Sequence, residues 1–161
     1  MITVEKAFER IVASAKPLNT ERLAVHETSG RVLAAPIAAR RSQPGADLSA
    51  MDGYTLRAAD LTGEMKEFRV IGESAAGSPF KGEVKTGDAV RIFTGAVVPA
   101  GADQVVIQEN VERREHSIFA REASMPARNI RAMGIDFLEK QAVLDAGTFM
   151  TPKSIGLAAA A

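Results

Sequence analysis

The chain has 161 residues, and 20 lysine and arginine residues balance 20 acidic residues, so its formal net charge at pH 7 is zero. It contains no cysteine, which excludes a disulfide framework, a thiolate nucleophile and a cysteine-ligated metal centre. With 46% hydrophobic and 25% charged residues, the composition is that of a globular protein. The balanced charge and the 5% aromatic content argue against a nucleic-acid partner, since binding needs excess basic charge or stacking platforms.

The first periodic segment predicts an amphipathic helix that begins after Thr3, with Pro17 ending it. Its apolar positions recur at helical spacing: Val4, Ala7, Phe8, Ile11, Val12 and Ala15. Leu23 and Val25 then predict a short strand. No apolar run approaches the roughly 18 residues of a membrane span, so we expect a cytoplasmic protein without a membrane partner.

From residue 41 to residue 136 the pattern changes to short strands separated by turns. Alternating or continuous apolar residues predict strands around residues 54–58, 68–72, 90–92 and 105–107, and the charged stretch 112–116 resembles the rim of a hairpin. Several short strands linked in this way favour a small coiled or barrel-like β unit.

The final segment returns to helix. Thr151 as N-cap and Pro152 at the first helical position predict a helix that runs into four alanines without a stop signal, which indicates a chain cut short. We therefore predict an α+β, β-rich fold. We expect residues 1–40 and 137–161 to pack together as a small helix-containing scaffold domain, with residues 41–136 inserted as a β domain.

The pair Asp52-Gly53 stands at the entrance to a predicted strand. Asp-Gly is a common hairpin turn, and this reading is as good as a functional one from composition alone. The large neighbours Met51 and Tyr54 favour the functional interpretation, because burial of their side chains would fix the Asp52 carboxylate near a strand end. A fixed carboxylate there suits a magnesium ion or a hydrogen-bonding substrate.

Two further segments carry similar chemistry. Thr94-Gly95 places a hydroxyl beside a residue that permits close approach to the backbone. The stretch 129–136 contains Arg131, a glycine and Asp136 at a passage from strand to loop. Two carboxylates, a hydroxyl and an arginine suit a metal–phosphate ligand better than acyl transfer, although spacing alone does not bring them together.

In these segments the chain resembles the N-terminal region of the molybdopterin molybdenumtransferase family, the MoeA proteins and the related E domain of gephyrin. The matching motifs occur in order over nearly the whole chain. They are Ser49–Tyr54, Gly72–Gly77, Arg91–Asp103 continuing into Val105–Glu109, Asn129–Arg131 with Gly134 and Asp136, and Gly147–Thr148 leading to Thr151–Pro152.

The resemblance implies insertion of molybdate into adenylylated molybdopterin, with release of AMP, during molybdenum cofactor biosynthesis, and it implies Mg²⁺ as cation. It implies a homodimer in which residues 1–40 and 137–161 act as a dimerisation domain, and a role beside other molybdenum-cofactor biosynthesis proteins. It also implies an active cleft shared between two subunits, with one wall carried by the β domain at 41–136. The residues it assigns fall into three groups. Asp52, Thr94 and Asp136 are catalytic, Ser49, Gly53, Gly95 and Arg131 bind the cofactor precursor, and Asp52 and Asp136 bind the metal.

The resemblance also implies that the enzymes continue into a pterin-binding domain and a further β domain, so we expect the 161-residue chain alone not to catalyse. The alternative is a non-catalytic binding, scaffold or dimerisation module that shares this fold.

Overall fold

The computed structural model describes residues 2–16 and 18–161, and Pro17, predicted to end the first helix, lies outside these ranges. The helices and strands are α1 Val4–Ser14, β1 Ile37–Ala38, β2 Leu48–Ser49, β3 Gly53–Leu56, β4 Lys66–Ser74, β5 Asp88–Ile92, β6 Gln104–Ile107, β7 Val111–Arg114, β8 Ser117–Ala120, β9 Ile130–Arg131, β10 Ala142–Leu144 and α2 Pro152–Ala160. No helix within the described ranges is both long and apolar enough to cross a membrane.

Both predicted helices are confirmed, and their first turns are capped as the sequence indicates. The Thr3 hydroxyl accepts a hydrogen bond from the Lys6 backbone N–H at 3.3 Å, and Thr151 accepts one from the Ser154 N–H at 3.3 Å. These side chains satisfy backbone donors that have no partner inside the helix.

The predicted strand at Leu23 and Val25 is wrong, because Val25–Glu27 forms a short 3₁₀ turn. The Glu27 carboxylate accepts a hydrogen bond from the Ala24 N–H at 3.3 Å, and the Thr28 hydroxyl donates to the Val25 carbonyl at 2.6 Å. Such local bonds from side chain to backbone compete with strand pairing.

The described chain divides into two compact units. One comprises Met1–Pro36 with Leu144–Ala160, and the other comprises Ile37–Val143 with Ala161. The predicted domain bounds, 1–40 with 137–161 and 41–136, stay a prediction.

The second unit contains a six-stranded sheet in the order β6-β3-β5-β4-β8-β7, in which β4 and β5 are parallel. β4 contains a register shift between Val70 and Gly72, and such a bulge bends a strand and increases its twist. The sheet curls into a half-barrel, which confirms the predicted α+β, β-rich fold with a coiled β unit. β7 and β8 pair as the predicted charged hairpin.

Two apolar clusters support this sheet. The larger contains Tyr54, Leu56, Leu61, Phe68, Ala89, Val106, Ile118 and Ala120. The smaller contains Ile92, Ala96 and Val105, with Val98 and Ile130 packed against it. Because Ile92 and Ala96 flank Thr94 in the chain, the smaller cluster anchors both sides of the loop that carries this threonine.

Candidate functional site at the edge of the sheet

The candidate site lies where β3 begins and β5 ends. Gly53 and Ile92 are register partners in this antiparallel pair, so Asp52 and Thr94, just outside the two strands, reach the same edge. The hairpin-turn alternative for Asp52-Gly53 is wrong. β2 pairs with β9, while β3 pairs with β5 and β6, so this dipeptide does not join two neighbouring strands.

Thr94 binds the Asp52 carboxylate through two donors. Its backbone N–H and its hydroxyl both donate to Asp52 Oδ1, each at 2.8 Å. The backbone bond, the hydroxyl bond and, to a lesser extent, the nearby Arg91 charge hold the pKa of Asp52 below its ordinary value. Asp52 therefore presents an ionised carboxylate in one orientation at neutral pH.

Gly53 is required because β3 and β6 approach closely next to this carboxylate. A Cβ atom at Gly53 would overlap the Val106 carbonyl oxygen and lie 2.9 Å from the Val106 carbonyl carbon. One residue earlier, the Asp52 carbonyl accepts a hydrogen bond from the Gln108 backbone N–H at 3.1 Å. The backbone of Asp52 is thus fixed from the side of β6, while its side chain is fixed from the side of β5.

Ser49 and Gly95 join the two loops behind the carboxylate. The Gly95 N–H donates to the Ser49 carbonyl at 2.8 Å, and the Ser49 N–H donates to the Ala96 carbonyl at 2.9 Å. The buried Ser49 hydroxyl donates to the Met51 carbonyl at 2.6 Å, and Gly95 has a positive φ of 81° that favours glycine. The structure shows both residues in supporting contacts, and their binding of a cofactor precursor stays a prediction.

Arg131 and Asp136 lie together at β9 and the turn that follows it. Arg131 pairs with Leu48 in the β2–β9 ladder, and its guanidinium lies 3.8 Å from the Asp136 carboxylate. Both side chains are about half exposed, at 54% and 48%. The structure therefore brings these two predicted residues into one ion pair, separately from the Asp52–Thr94 pair.

Arg91 and Gln108 also belong to the site, although neither was predicted from the sequence as an individual site residue. Arg91 extends from β5 and donates to the Gly53 carbonyl at 3.2 Å and to Gln108 Oε1 at 2.7 Å. A usable signal was present in the sequence, since Arg91 is the charged residue in the apolar run from Ala89 to Phe93. Gln108 carried no comparable signal, because its position depends on how β6 aligns with β3.

The donor set at Asp52 fits a magnesium ion in part. Thr94 occupies Oδ1, and within the described residues no hydrogen bond reaches Oδ2, so an ionised oxygen remains for a cation. Magnesium is commonly held by one or two carboxylates together with water and substrate phosphates. Asp136 is already beside a guanidinium. Across residues 2–16 and 18–161, no group of three or more His, Cys, Asp or Glu side chains is arranged to hold a metal by itself.

The chain is similar to proteins that are named for molybdenum cofactor chemistry. It is 38% identical to the molybdopterin molybdenumtransferase of Haemophilus influenzae, over 99% of this chain and 40% of the relative. A protein of the same name from Nostoc sp. is 35% identical, over 88% of this chain and 32% of the relative. The chain thus spans about two-fifths or less of these relatives.

Solved structures and a family model agree with these matches. The molybdopterin biosynthesis moeA protein from Pyrococcus horikoshii OT3 superposes with a TM-score of 0.88 at 33% identity, covering 97% of this chain and 42% of that protein. The family model described as "MoeA N-terminal region (domain I and II)" matches residues 2–161. The resemblance drawn from the motifs is confirmed, and the chain belongs to the MoeA N-terminal region family.

Proposed function

We propose that this chain is the N-terminal part of a molybdopterin molybdenumtransferase that inserts molybdate into adenylylated molybdopterin and releases AMP. The observation that carries the proposal is the Asp52 carboxylate, oriented by two 2.8 Å hydrogen bonds from Thr94 at an exposed edge of the sheet. The names of the relatives support the reaction class.

The proposed task of Asp52 is to position substrate and cation rather than to attack. Its Oδ2 would hold Mg²⁺, with Asp136 as the second carboxylate and Arg131 facing the anionic substrate. When bound, the ion neutralises charge on phosphate oxygens. The Thr94 hydroxyl already donates a hydrogen bond to Asp52, so its proposed role is to orient the carboxylate and not to act as a nucleophile.

We further propose that the protein acts in the cytoplasm. The chain would supply one wall of the active cleft, and the remaining wall would come from outside these 161 residues. The chain alone would then bind weakly and would not catalyse. The exposed position of Asp52, at the ends of β3 and β5, supports this proposal.

The test uses the full-length protein in a bacterial strain that lacks molybdopterin molybdenumtransferase. Asp52→Asn, alone or with Asp136→Asn, should lower molybdenum cofactor formation by at least about tenfold, since loss of even a supporting group around a metal site typically costs about 10- to 100-fold. Asp145→Asn changes an exposed carboxylate in the other unit and should leave the activity unchanged. Normal cofactor formation by the double variant would refute the roles of the two carboxylates.

The exposed apolar face of α1 favours an assembly function as well. Four of its large apolar residues are more than half exposed: Val4, Phe8, Ile11 and Val12. We propose that this face is buried in a homodimer, since exposed apolar area of this kind marks interaction surfaces. In analytical ultracentrifugation, Phe8→Glu should shift the protein to monomer and Glu9→Gln should not. A wild-type protein that stays monomeric at high concentration would contradict this proposal.

The same face supports the alternative of a non-catalytic scaffold that binds other molybdenum-cofactor biosynthesis proteins. Complementation of the bacterial strain that lacks molybdopterin molybdenumtransferase distinguishes the two functions. A non-catalytic scaffold would restore no cofactor formation in this strain, whether residue 52 is aspartate or asparagine, whereas the enzyme would restore it with aspartate and not with asparagine.

A further inference from the structure

Arg91 contacts two residues that adjoin the Asp52 backbone, Gly53 and Gln108. One guanidinium nitrogen donates to the carbonyl of Gly53, and another donates to the side chain of Gln108 at 2.7 Å. The backbone N–H of Gln108 in turn donates to the Asp52 carbonyl. Arg91 therefore connects the start of β3 to the residue that follows β6, and Asp52 lies between these two attachment points.

Two aromatic rings hold the Arg91 side chain in place. Its guanidinium carbon lies 5.1 Å from the centre of the Tyr54 ring and 4.8 Å from that of the Phe93 ring. Tyr54 is also the direct register partner of Arg91 in the β3–β5 pair. Attraction between the cation and both rings fixes the planar group before any ligand arrives.

We propose that Arg91 is a positioning residue that fixes the backbone of Asp52 through Gly53 and Gln108, so that the carboxylate keeps its place when substrate and cation bind. The role needs a planar group with two separated donors, which arginine has and lysine lacks. This inference rests on the proposed function for its catalytic consequence, whereas its structural part is independent of that function.

The structural part is tested by amide hydrogen exchange on the 161-residue chain, followed by NMR. Arg91→Gln and Arg91→Lys should each speed exchange at the Gln108 and Thr94 amides by about tenfold, the scale of one lost hydrogen bond to a charged group. Arg114→Gln is the matched control, because Arg114 also lies over an aromatic ring, that of Phe119, but contacts Glu112 on β7. It should leave both amides unchanged.

The catalytic part is tested on the full-length protein. Both Arg91 variants should raise the Mg²⁺ concentration for half-maximal activity by about tenfold, on the scale for a supporting group of a metal site. A fall in the folded fraction alone would lower the maximal rate and leave that concentration unchanged. If Arg91→Gln fails to fold, Arg91→Lys decides the question, since it keeps the charge and most of the stem.

Three outcomes overturn the proposal. The first is unchanged exchange at Gln108 and Thr94 in a folded Arg91 variant. The second is full rescue by lysine, which would show that charge alone matters. The third is an unchanged Mg²⁺ requirement despite faster exchange. If exchange rises as expected but the full-length wild type forms no molybdenum cofactor, the structural role of Arg91 stands and the proposed function fails.

Discussion

Gly53→Ala is the sharpest test of how the sheet positions Asp52. Replacing glycine by alanine usually stabilises a protein by roughly 0.4–1 kcal/mol where the backbone allows it, because the unfolded chain loses freedom. Gly53 is an exception for a packing reason. Its added methyl group would overlap the Val106 carbonyl and approach the Ile107 Cα to 3.0 Å.

The atoms in the way belong to the backbone of a buried strand, so they cannot move aside as a flexible side chain would. Val105 and Val106 are fully buried, and β6 forms register pairs along the full length of β3. Separating the strands to fit the methyl group should cost about 1–3 kcal/mol, the usual range for overpacking. For a unit of this size, this corresponds to a fall in melting temperature of roughly 4–8 °C per kcal/mol.

The chain carries its own reporter for this change. It has a single tyrosine, Tyr54, and no tryptophan, and this tyrosine is 4% exposed in β3 next to the altered residue. Tyrosine fluorescence in a urea titration therefore follows the unfolding of the sheet. Gly156→Ala is the matched control, because a Cβ there meets nothing within 4 Å in α2. Followed by circular dichroism, it should stabilise the helix-containing unit by roughly 0.5–1 kcal/mol.

A Gly53→Ala protein whose urea midpoint equals or exceeds that of the wild type would contradict this account of the packing. Such a result would mean that β3 and β6 do not approach as closely as the structure shows. A fall of similar size in the Gly156 control would also count against it, since the two variants differ in packing and not in chemistry.

Three other predictions follow from the contacts. Thr94→Val removes one hydrogen bond to Asp52, so the pKa of Asp52 should rise toward its ordinary value in an NMR titration. Folding lowers this pKa, so the ionised carboxylate stabilises the folded protein at a pH above the unfolded-state pKa. This stabilisation is lost as the pH falls through the folded-state pKa. Ser74→Ala removes a buried hydroxyl that donates to a carbonyl at 2.7 Å and should cost about 1 kcal/mol by urea unfolding. Arg69→Met leaves the buried Asp88 carboxylate without its guanidinium and should cost about 1–3 kcal/mol at pH 7.

Each of these has a matched control. Thr86→Val changes a threonine hydroxyl that accepts from Arg57, so the pKa of Asp52 should not respond to it. Ser78→Ala and Arg113→Met change exposed side chains of the same types and should stay within about 0.5 kcal/mol of the wild type. Equal effects in a variant and its control would show that the named contact is not the cause.

Much of the fold could be predicted because the signals were local. Thr3 and Thr151 marked helix starts through their own capping bonds, and the apolar pattern around Val105 marked a buried strand. The error at Leu23 and Val25 came from two apolar residues in an alternating pattern, where capping by nearby polar side chains decided the outcome instead.

The site was less predictable, because its residues meet through strand register. The sequence indicated Asp52 and Thr94 separately, but their contact depends on Gly53 lying opposite Ile92. The position of Gln108 depends on a second register, that of β6 against β3. No spacing along the chain encodes these alignments, so the hairpin reading of Asp52-Gly53 and the functional reading could not be separated before the sheet was known.

The two carboxylates that the sequence treats alike are held in different ways, and under the proposed function this difference predicts different parts in binding. Asp52 is oriented by two 2.8 Å bonds from Thr94, and its backbone is held by strand ends, so it can receive a ligand without rearranging. Asp136 faces Arg131 across 3.8 Å with both side chains half exposed. Such an exposed pair contributes little stability. The proposed function therefore predicts that a substrate phosphate takes over the arginine and frees the carboxylate at small cost. Under that proposal, the carboxylate of Asp52 would set the position of the ligand, and the Arg131–Asp136 pair would adapt to the charge of the ligand.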